Sequence, residues 1–276
     1  MTTKKILKKI FKDGYCHHEN VLSKKECKKY IEGIINLKNK IKKDINFESK
    51  VLNQGQEVIR DIVLRDPDVF LNIIDNDLVN KVLYEIFKET FILDGCVASN
   101  SVNVKVNYSA LVHIDAHLAS NINSNTSDVV VLFCLDDFTK ENGATKIWPG
   151  SHLSGVRIQN SKNYKKLIKK KHVYAEGKKG SIFFFLGQTW HQIGKNVNGN
   201  SRWSILCHYK RWWIKPGKDF TKCGATFYNK LNQNQKKLFG FNSIPPKFNF
   251  KTKTGMLKTL RKPSVLNQSY KKVINF

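Results

Sequence analysis

A chain of 276 residues with 41% apolar and 25% charged side chains is long enough to bury a sizeable core, and its balance excludes a disordered tail or a fibrous repeat. It contains no uncharged apolar run of roughly 18 residues, which argues against a membrane-spanning helix. The 48 Lys and Arg against 22 Asp and Glu give a formal charge of +26; the lysines crowd every polar stretch instead of one, so a dedicated nucleic-acid surface is not expected and an anionic small substrate is favoured.

The opening MTTKKILKKIFKDGY lacks the apolar core and small-residue cleavage site of a secretory leader. Its Ile6, Leu7, Ile10 and Phe11 share one helical face opposite lysines. Two readings are open: a short helix docked on the domain, or one lying on a membrane surface. Asp13-Gly14 then makes a turn, and YCHHENV reads as a strand or extended entry. Ser23 and Glu26 have the spacing of a capping box and open a helix to about residue 40. From Asp66 to Phe91, Pro67 is followed by apolar residues at helical spacing, among them Val69, Ile73, Ile74, Leu78, Val82, Leu83, Ile86 and Phe87. Two further helices are expected there.

The pattern changes at Ile92. Short β-branched and aromatic runs separated by turn residues follow: FILDG, VNVKVNYS, VVVLFCL, TKIWPGS, HVYAEGKKG, SIFFFL and RWSILCHY. This spacing predicts a mainly β sandwich or barrel preceded by helices. Beyond Trp213 the chain is polar and lysine-rich again, with a short helix expected at NQNQKKLFGF. The whole reads as a single domain, 1–276, with a helical part over about 1–91, a β core over about 92–213 and an extension over about 214–276. Six cysteines without a C-x-x-C pair, several inside apolar runs, point to a reducing compartment and a cytoplasmic protein.

The chemistry-bearing stretch is LVHIDAHLAS, residues 111–120. His113 and Asp115 stand two apart, so on a strand both side chains share a face and offer two metal ligands without backbone strain. Alone, H-x-D is a weak signal. His191, at the end of the apolar strand GSIFFFLGQTW, would close a two-histidine, one-carboxylate triad, the set that leaves open positions on Fe(II) for oxygen chemistry. Arg202 opens the last strong strand with Ser204 two positions on. A guanidinium fork plus a hydroxyl suits a carboxylate in a pocket of low polarity.

At this point the sequence resembles the phytanoyl-CoA dioxygenase family of Fe(II)/2-oxoglutarate oxygenases. Four segments in order carry the resemblance: DGYCHHENVLSKKECKKYI, VVVLFCLDDFTKENGATKIWPGSH, GSIFFFLGQTWHQIGKNVNGNSRWSILCHY and LNQNQKKLFGFNSIPP. It implies a double-stranded β-helix, a jelly-roll barrel. It implies that His113, Asp115 and His191 bind Fe(II), and that Arg202 pairs with the far carboxylate of 2-oxoglutarate, Ser204 assisting by analogy to an Arg-x-Ser pairing in related oxygenases. The reaction implied consumes O2 and 2-oxoglutarate and yields succinate and CO2. Related halogenases lack the carboxylate ligand; Asp115 is present, which favours hydroxylation or another C–H oxidation of a small or carrier-linked molecule. The competing reading keeps the barrel without catalysis, as a basic protein binding nucleic acid or another polyanion.

Several polar residues carry two readings. Lys105 and Asn107 share the polar face of VNVKVNYS, which points either into the barrel mouth, toward 2-oxoglutarate, or to solvent. His117 falls on the face of Asp115; a place on the substrate rim is set against plain polar lining. His152 in PGSH is expected to order a loop. His17 and His18 diverge on an extended segment, and His172 and His208 are expected to be ordinary core or surface histidines on strands. Trp190, Trp203, Trp212 and Trp213 are expected in the core or at the rim. Substrate identity and oligomeric state are not legible.

Overall fold

Alternating and fully apolar runs in the second half of the chain pair into two antiparallel sheets. The computed structural model describes residues 1–41, 56–101, 110–116, 118 and 126–244. Its strands are β1 (Tyr15–His18), β2 (Gln56–Arg60), β3 (Phe91–Ser101), β4 (Asp128–Cys134), β5 (Lys146–Ile147), β6 (Val173–Tyr174), β7 (Ile182–Leu186), β8 (His191–Gln192) and β9 (Ser204–Arg211). Six form one sheet in the order β1-β7-β4-β9-β3-β2, and three form a second in the order β6-β5-β8. Two facing antiparallel sheets with non-sequential neighbours make the expected jelly roll.

The period-two rule assigns the faces of the large sheet. Val129, Val131, Phe133, Ile182, Phe184, Leu186, Ile205, Cys207 and Tyr209 point outward into a core shared with the helices. Val130, Leu132, Phe183 and Phe185 point inward, toward Phe138, Ala144 and Ile147 of the facing layer. Both faces of β4 and β7 are therefore covered, which is why VVVLFC and IFFFL read as continuous apolar runs.

Helix α1 (Thr3–Asp13) inserts Ile6 and Ile10 into the outer core, so it docks on the sheet. Gly14 ends it at φ +82°, with its N–H on the Ile10 carbonyl. Helix α2 (Lys24–Ile41) starts at the expected capping box: the Ser23 hydroxyl accepts from the Glu26 amide (3.2 Å) while the Glu26 carboxylate accepts from the Ser23 amide (2.8 Å). Of the two helices expected after Asp66, the first is one turn, Pro67–Phe70, tightening into a 3-10 segment, Leu71–Asp75. The second is α3 (Asp77–Phe87), capped by Asn76. Near the end, α4 (Gly224–Lys230) and α5 (Gln233–Leu238) pack Phe227, Leu238 and Phe239 against the outer core.

The first third also supplies two strands of the large sheet, β1 at one edge and β2 at the other. The segment VNVKVNYS lies outside the described residues. All six cysteines are free thiols. No helix among the described residues is long and apolar enough to cross a membrane.

Candidate active site

His113 and His191 meet across a β-bridge, each amide donating to the other's carbonyl at 3.0 Å. Facing residues of an antiparallel bridge put their side chains on one side, and the two rings lie 4.3 Å apart between centroids. The Nδ1 of His113 is 3.0 Å from the Leu111 carbonyl, and the Nδ1 of His191 is 3.0 Å from the Thr189 carbonyl. A carbonyl oxygen only accepts, so in each neutral ring the proton sits on Nδ1 and the lone pair on Nε2.

Both Nε2 atoms turn to the Asp115 carboxylate, His113 at 3.7 Å from Oδ1 and His191 at 3.4 Å from Oδ2. These distances are too long for hydrogen bonds. They are close to the separation of about 3 Å between neighbouring ligand atoms that each lie about 2.1 Å from one ion. One ligand atom from each residue falls within 4.8 Å of the others, the only such group among the described residues. Two imidazoles and a carboxylate, partly open to solvent, are the donor set of a divalent first-row metal with free positions.

Charge supports that role. Burial pushes the Asp115 carboxyl up, but the fields of His191, His208 and His113 together outweigh it and hold the group below its ordinary range. The neighbouring His191, then burial, hold His113 below its usual value against the pull of Asp115. An ionised carboxylate and a neutral imidazole are the ligating forms.

The backbone carrying the pair is fixed from two sides. On one, the Gly187 carbonyl accepts from the amides of Asp115 (3.0 Å) and Ala116 (2.9 Å). A β-carbon at Gly187 would lie 2.8 Å from that of Asp128 and 3.2 Å from that of Ala116, so only glycine allows this approach. On the other, the Gln159 side chain acts as a substitute strand: its Oε1 accepts from the Ile114 amide (3.3 Å) and its Nε2 donates to the Ile114 carbonyl (3.2 Å). The Tyr164 hydroxyl accepts from the Val112 amide at 2.8 Å. Val112, Ile114, Trp148, Ile158 and Trp190 fill the space between.

The strand-end carrying His191 is tied to the N-terminal turn. Thr189 Oγ1 donates to the Gly14 carbonyl at 2.7 Å, and His152 reaches the Phe11 carbonyl through Nε2 at 3.1 Å. His152 therefore orders a loop, as expected.

Arg202 begins a row of inward residues on β9 and the residues before it: 202, 204, 206 and 208. It is 2% exposed, its guanidinium is centred 4.5 Å from the Phe138 ring, and its amide donates to Asn100 Oδ1 at 2.8 Å. Ser204 is fully buried and its hydroxyl donates to the Ser99 carbonyl at 3.1 Å. A cavity of about 440 Å³ gathers His113, Asp115, His191, Arg202 and Ser204. Lys105, Asn107 and His117 lie outside the described residues.

The same cavity also holds Gln56 and Arg60 from β2, Thr145, and His208. His208 is a correction to its expected role as an ordinary core or surface histidine, because its alternation with Arg202 and Ser204 turns it inward. That alternation was present in the sequence. For Arg60 no signal was, since QEVIR has too few apolar positions to mark a strand. His172 lies just outside β6, its ring 5.2 Å from that of Trp148. Trp190 and Trp203 are buried; Trp212 and Trp213 are exposed.

Among solved structures the chain is similar to HygX from Streptomyces hygroscopicus with nickel and 2-oxoglutarate bound (TM-score 0.63, 12% identity, 79% of this chain and 90% of that one). It is also similar to the non-heme alpha-ketoglutarate-dependent carbocyclase SnoK (0.63, 15%, 84% and 93%) and epimerase SnoN (0.58, 17%, 76% and 80%), both from nogalamycin biosynthesis. At these identities the likeness is one of fold. Two uncharacterized proteins, from Mycobacterium tuberculosis and Mycobacterium bovis, are each 30% identical over 96 residues, 35% of this chain; the match spans only 33% of their own length. The family model for phytanoyl-CoA dioxygenase (PhyH) matches residues 11–204, which run from the end of α1 through His113 and His191 to Ser204. The chain belongs to the phytanoyl-CoA dioxygenase family.

Proposed function

We propose that this protein is an Fe(II)/2-oxoglutarate-dependent dioxygenase that hydroxylates, or otherwise oxidises a C–H bond of, a small metabolite or carrier-linked substrate. The observation that carries the reading is the convergence of His113, Asp115 and His191 on one point of the cavity that also holds Arg202. When bound, the metal with 2-oxoglutarate and O2 supplies the oxidising power, and succinate and CO2 are the co-products.

The chain's own part is placement. His113 and His191 present Nε2 because their Nδ1 protons are held by carbonyls, and Asp115 supplies the anionic ligand. Arg202, buried and backed by Phe138, offers its fork to the distal carboxylate of 2-oxoglutarate, with Ser204 beside it. Apolar walls from Val97, Leu132 and Leu206 keep water from the reacting region. Whether the C–H bond ends in hydroxylation or in another oxidation is set by how the substrate lies against these walls; similar folds serve an epimerase and a carbocyclase.

The test is anaerobic loading with Fe(II) and 2-oxoglutarate, followed by admission of O2 over a panel of metabolites. O2-dependent succinate formation that disappears in Asp115→Ala is the expected result. Failure of the wild-type protein to take up Fe(II) and 2-oxoglutarate overturns the proposal.

A further inference from the structure

We infer that Arg60 is the recognition point for an anionic group, carboxylate or phosphate, on the substrate. This rests on the oxygenase reading above and adds the class of substrate to it.

Strand β2 alternates. Glu57 and Ile59 are buried, while Gln56, Val58 and Arg60 line the cavity. Acids close to Arg60 in sequence or strand register are already matched by lysines: Glu57 by Lys38, Asp61 by Lys218, and Asp94 by Lys210 at 2.9 Å. Arg60 itself is exposed at the mouth, with its carbonyl held by Arg65 Nε at 2.9 Å. Its backbone is anchored while its side chain faces the opening.

Charge balance then selects an anion. Among the described residues lining the cavity, Asp115 is the single carboxylate. A divalent metal, Asp115, doubly negative 2-oxoglutarate and Arg202 together sum to zero. Arg60 is left as a positive charge without a counter-charge among the described residues of the cavity, beside walls of low polarity, an arrangement that suits a second anion.

Register sets Arg60 apart from Arg202. Arg60 pairs with Val97, which pairs with Leu206, whereas Arg202 stands four residues before Leu206. Those four residues correspond to about 13 Å along the strands, and two strand spacings to about 10 Å across the sheet. Room exists on the Arg60 side. Gly95, the partner of His208, stands at a bulge in β3, and a β-carbon there would meet nothing within 4 Å. An anionic group seated between Arg60 and His208 would take the guanidinium fork from one and a ring N–H from the other, with the rest of the molecule directed to the metal.

The experiment uses the full chain loaded with Ni(II) and 2-oxoglutarate, which does not turn over, and measures binding of hexanoate, hexyl phosphate and hexanol by calorimetry. The wild type should bind one or both anions at least about tenfold more tightly than hexanol, as a charge-assisted pair predicts. Which anion wins separates a carboxylate from a phosphate substrate. Arg60→Gln should erase the preference and leave Ni(II) binding, 2-oxoglutarate binding and the melting temperature unchanged; Arg60→Lys should restore part of it. No preference in the wild type, or a preference that survives in Arg60→Gln, overturns the inference. If Ni(II) and 2-oxoglutarate fail to bind, the oxygenase reading falls, and the same titrations on the metal-free protein still decide the role of Arg60.

Discussion

His113 and His191 each spend the Nδ1 proton on a carbonyl two residues earlier, and this short loop leaves the Nε2 lone pair free to serve as a ligand. The aim of that nitrogen depends on the backbone behind it. Gln159 and Tyr164 hold the alternate residues Ile114 and Val112, so they position His113 and Asp115 without touching the metal point. Gln159→Leu leaves two backbone groups of Ile114 without this partner. Its affinity for Ni(II) should fall about 10- to 100-fold, the usual cost of losing a support behind a ligand. Tyr164→Phe should lose less, and both losses should be visible in the absorption spectrum of the Co(II)-loaded protein. Arg202→Gln should weaken 2-oxoglutarate by about 1.5–3 kcal/mol while metal uptake stays the same. At this scale strand alternation put His113 with Asp115, and Arg202 with Ser204, on shared faces, while joining His191 to them rested on the family resemblance; the structure gathers all five in one cavity. Gln159 was not, since a side chain imitating a strand leaves no periodicity.

At the level of elements, helices announced themselves through a capping box, Ser23 with Glu26, and through apolar residues at helical spacing, as in Asp77–Phe87. The long strands announced themselves through apolar runs. The small sheet did so only in part: β5 and β6 lie inside the runs TKIWPGS and HVYAEGKKG, but β8 is two residues with no run of its own, and the pairing of all three is decided by contacts distant in sequence. Yet that sheet carries His191 and aligns it with His113. Two glycines set how elements approach the site. A β-carbon at Gly14 would fall 2.5 Å from Thr189 Oγ1 and 2.6 Å from His152 Nδ1, at a backbone angle that alanine adopts poorly. Gly14→Ala should therefore cost about 1–3 kcal/mol, read as a lowered melting temperature. Gly187→Ala should lower it too, and should also weaken Ni(II) binding, because Gly187 holds Asp115 directly.

At the scale of the molecule, five histidines among the described residues are held below their ordinary pKa. Burial is the leading cause for His17, His18, His152 and His172, and the neighbouring His191 for His113. The folded chain protonates these rings only at lower pH than the unfolded chain, whose histidines take up protons near about pH 6.5. Above that pH they cost nothing; as pH falls through it the unfolded state gains protons that the folded state refuses, and stability drops. The metal-free protein should melt at progressively lower temperature from about pH 7.5 to about pH 5.5. His17→Phe, replacing a ring that stacks on Phe183 at 4.5 Å, should flatten that slope. The charge of +26 gives the polyanion reading its only support. That reading requires nucleic-acid binding with a steep salt dependence that persists in Asp115→Ala.

The central claim is that one metal point, made by His113, Asp115 and His191, works with Arg202 on a single 2-oxoglutarate. Anaerobic calorimetry of Fe(II) followed by 2-oxoglutarate tests it most directly. The account predicts one Fe(II) per chain, 2-oxoglutarate binding only after the metal, loss of both steps in Asp115→Ala and weakening of only the second in Arg202→Gln. Fe(II) uptake undiminished in Asp115→Ala, or 2-oxoglutarate binding indifferent to both the metal and Arg202, would contradict it.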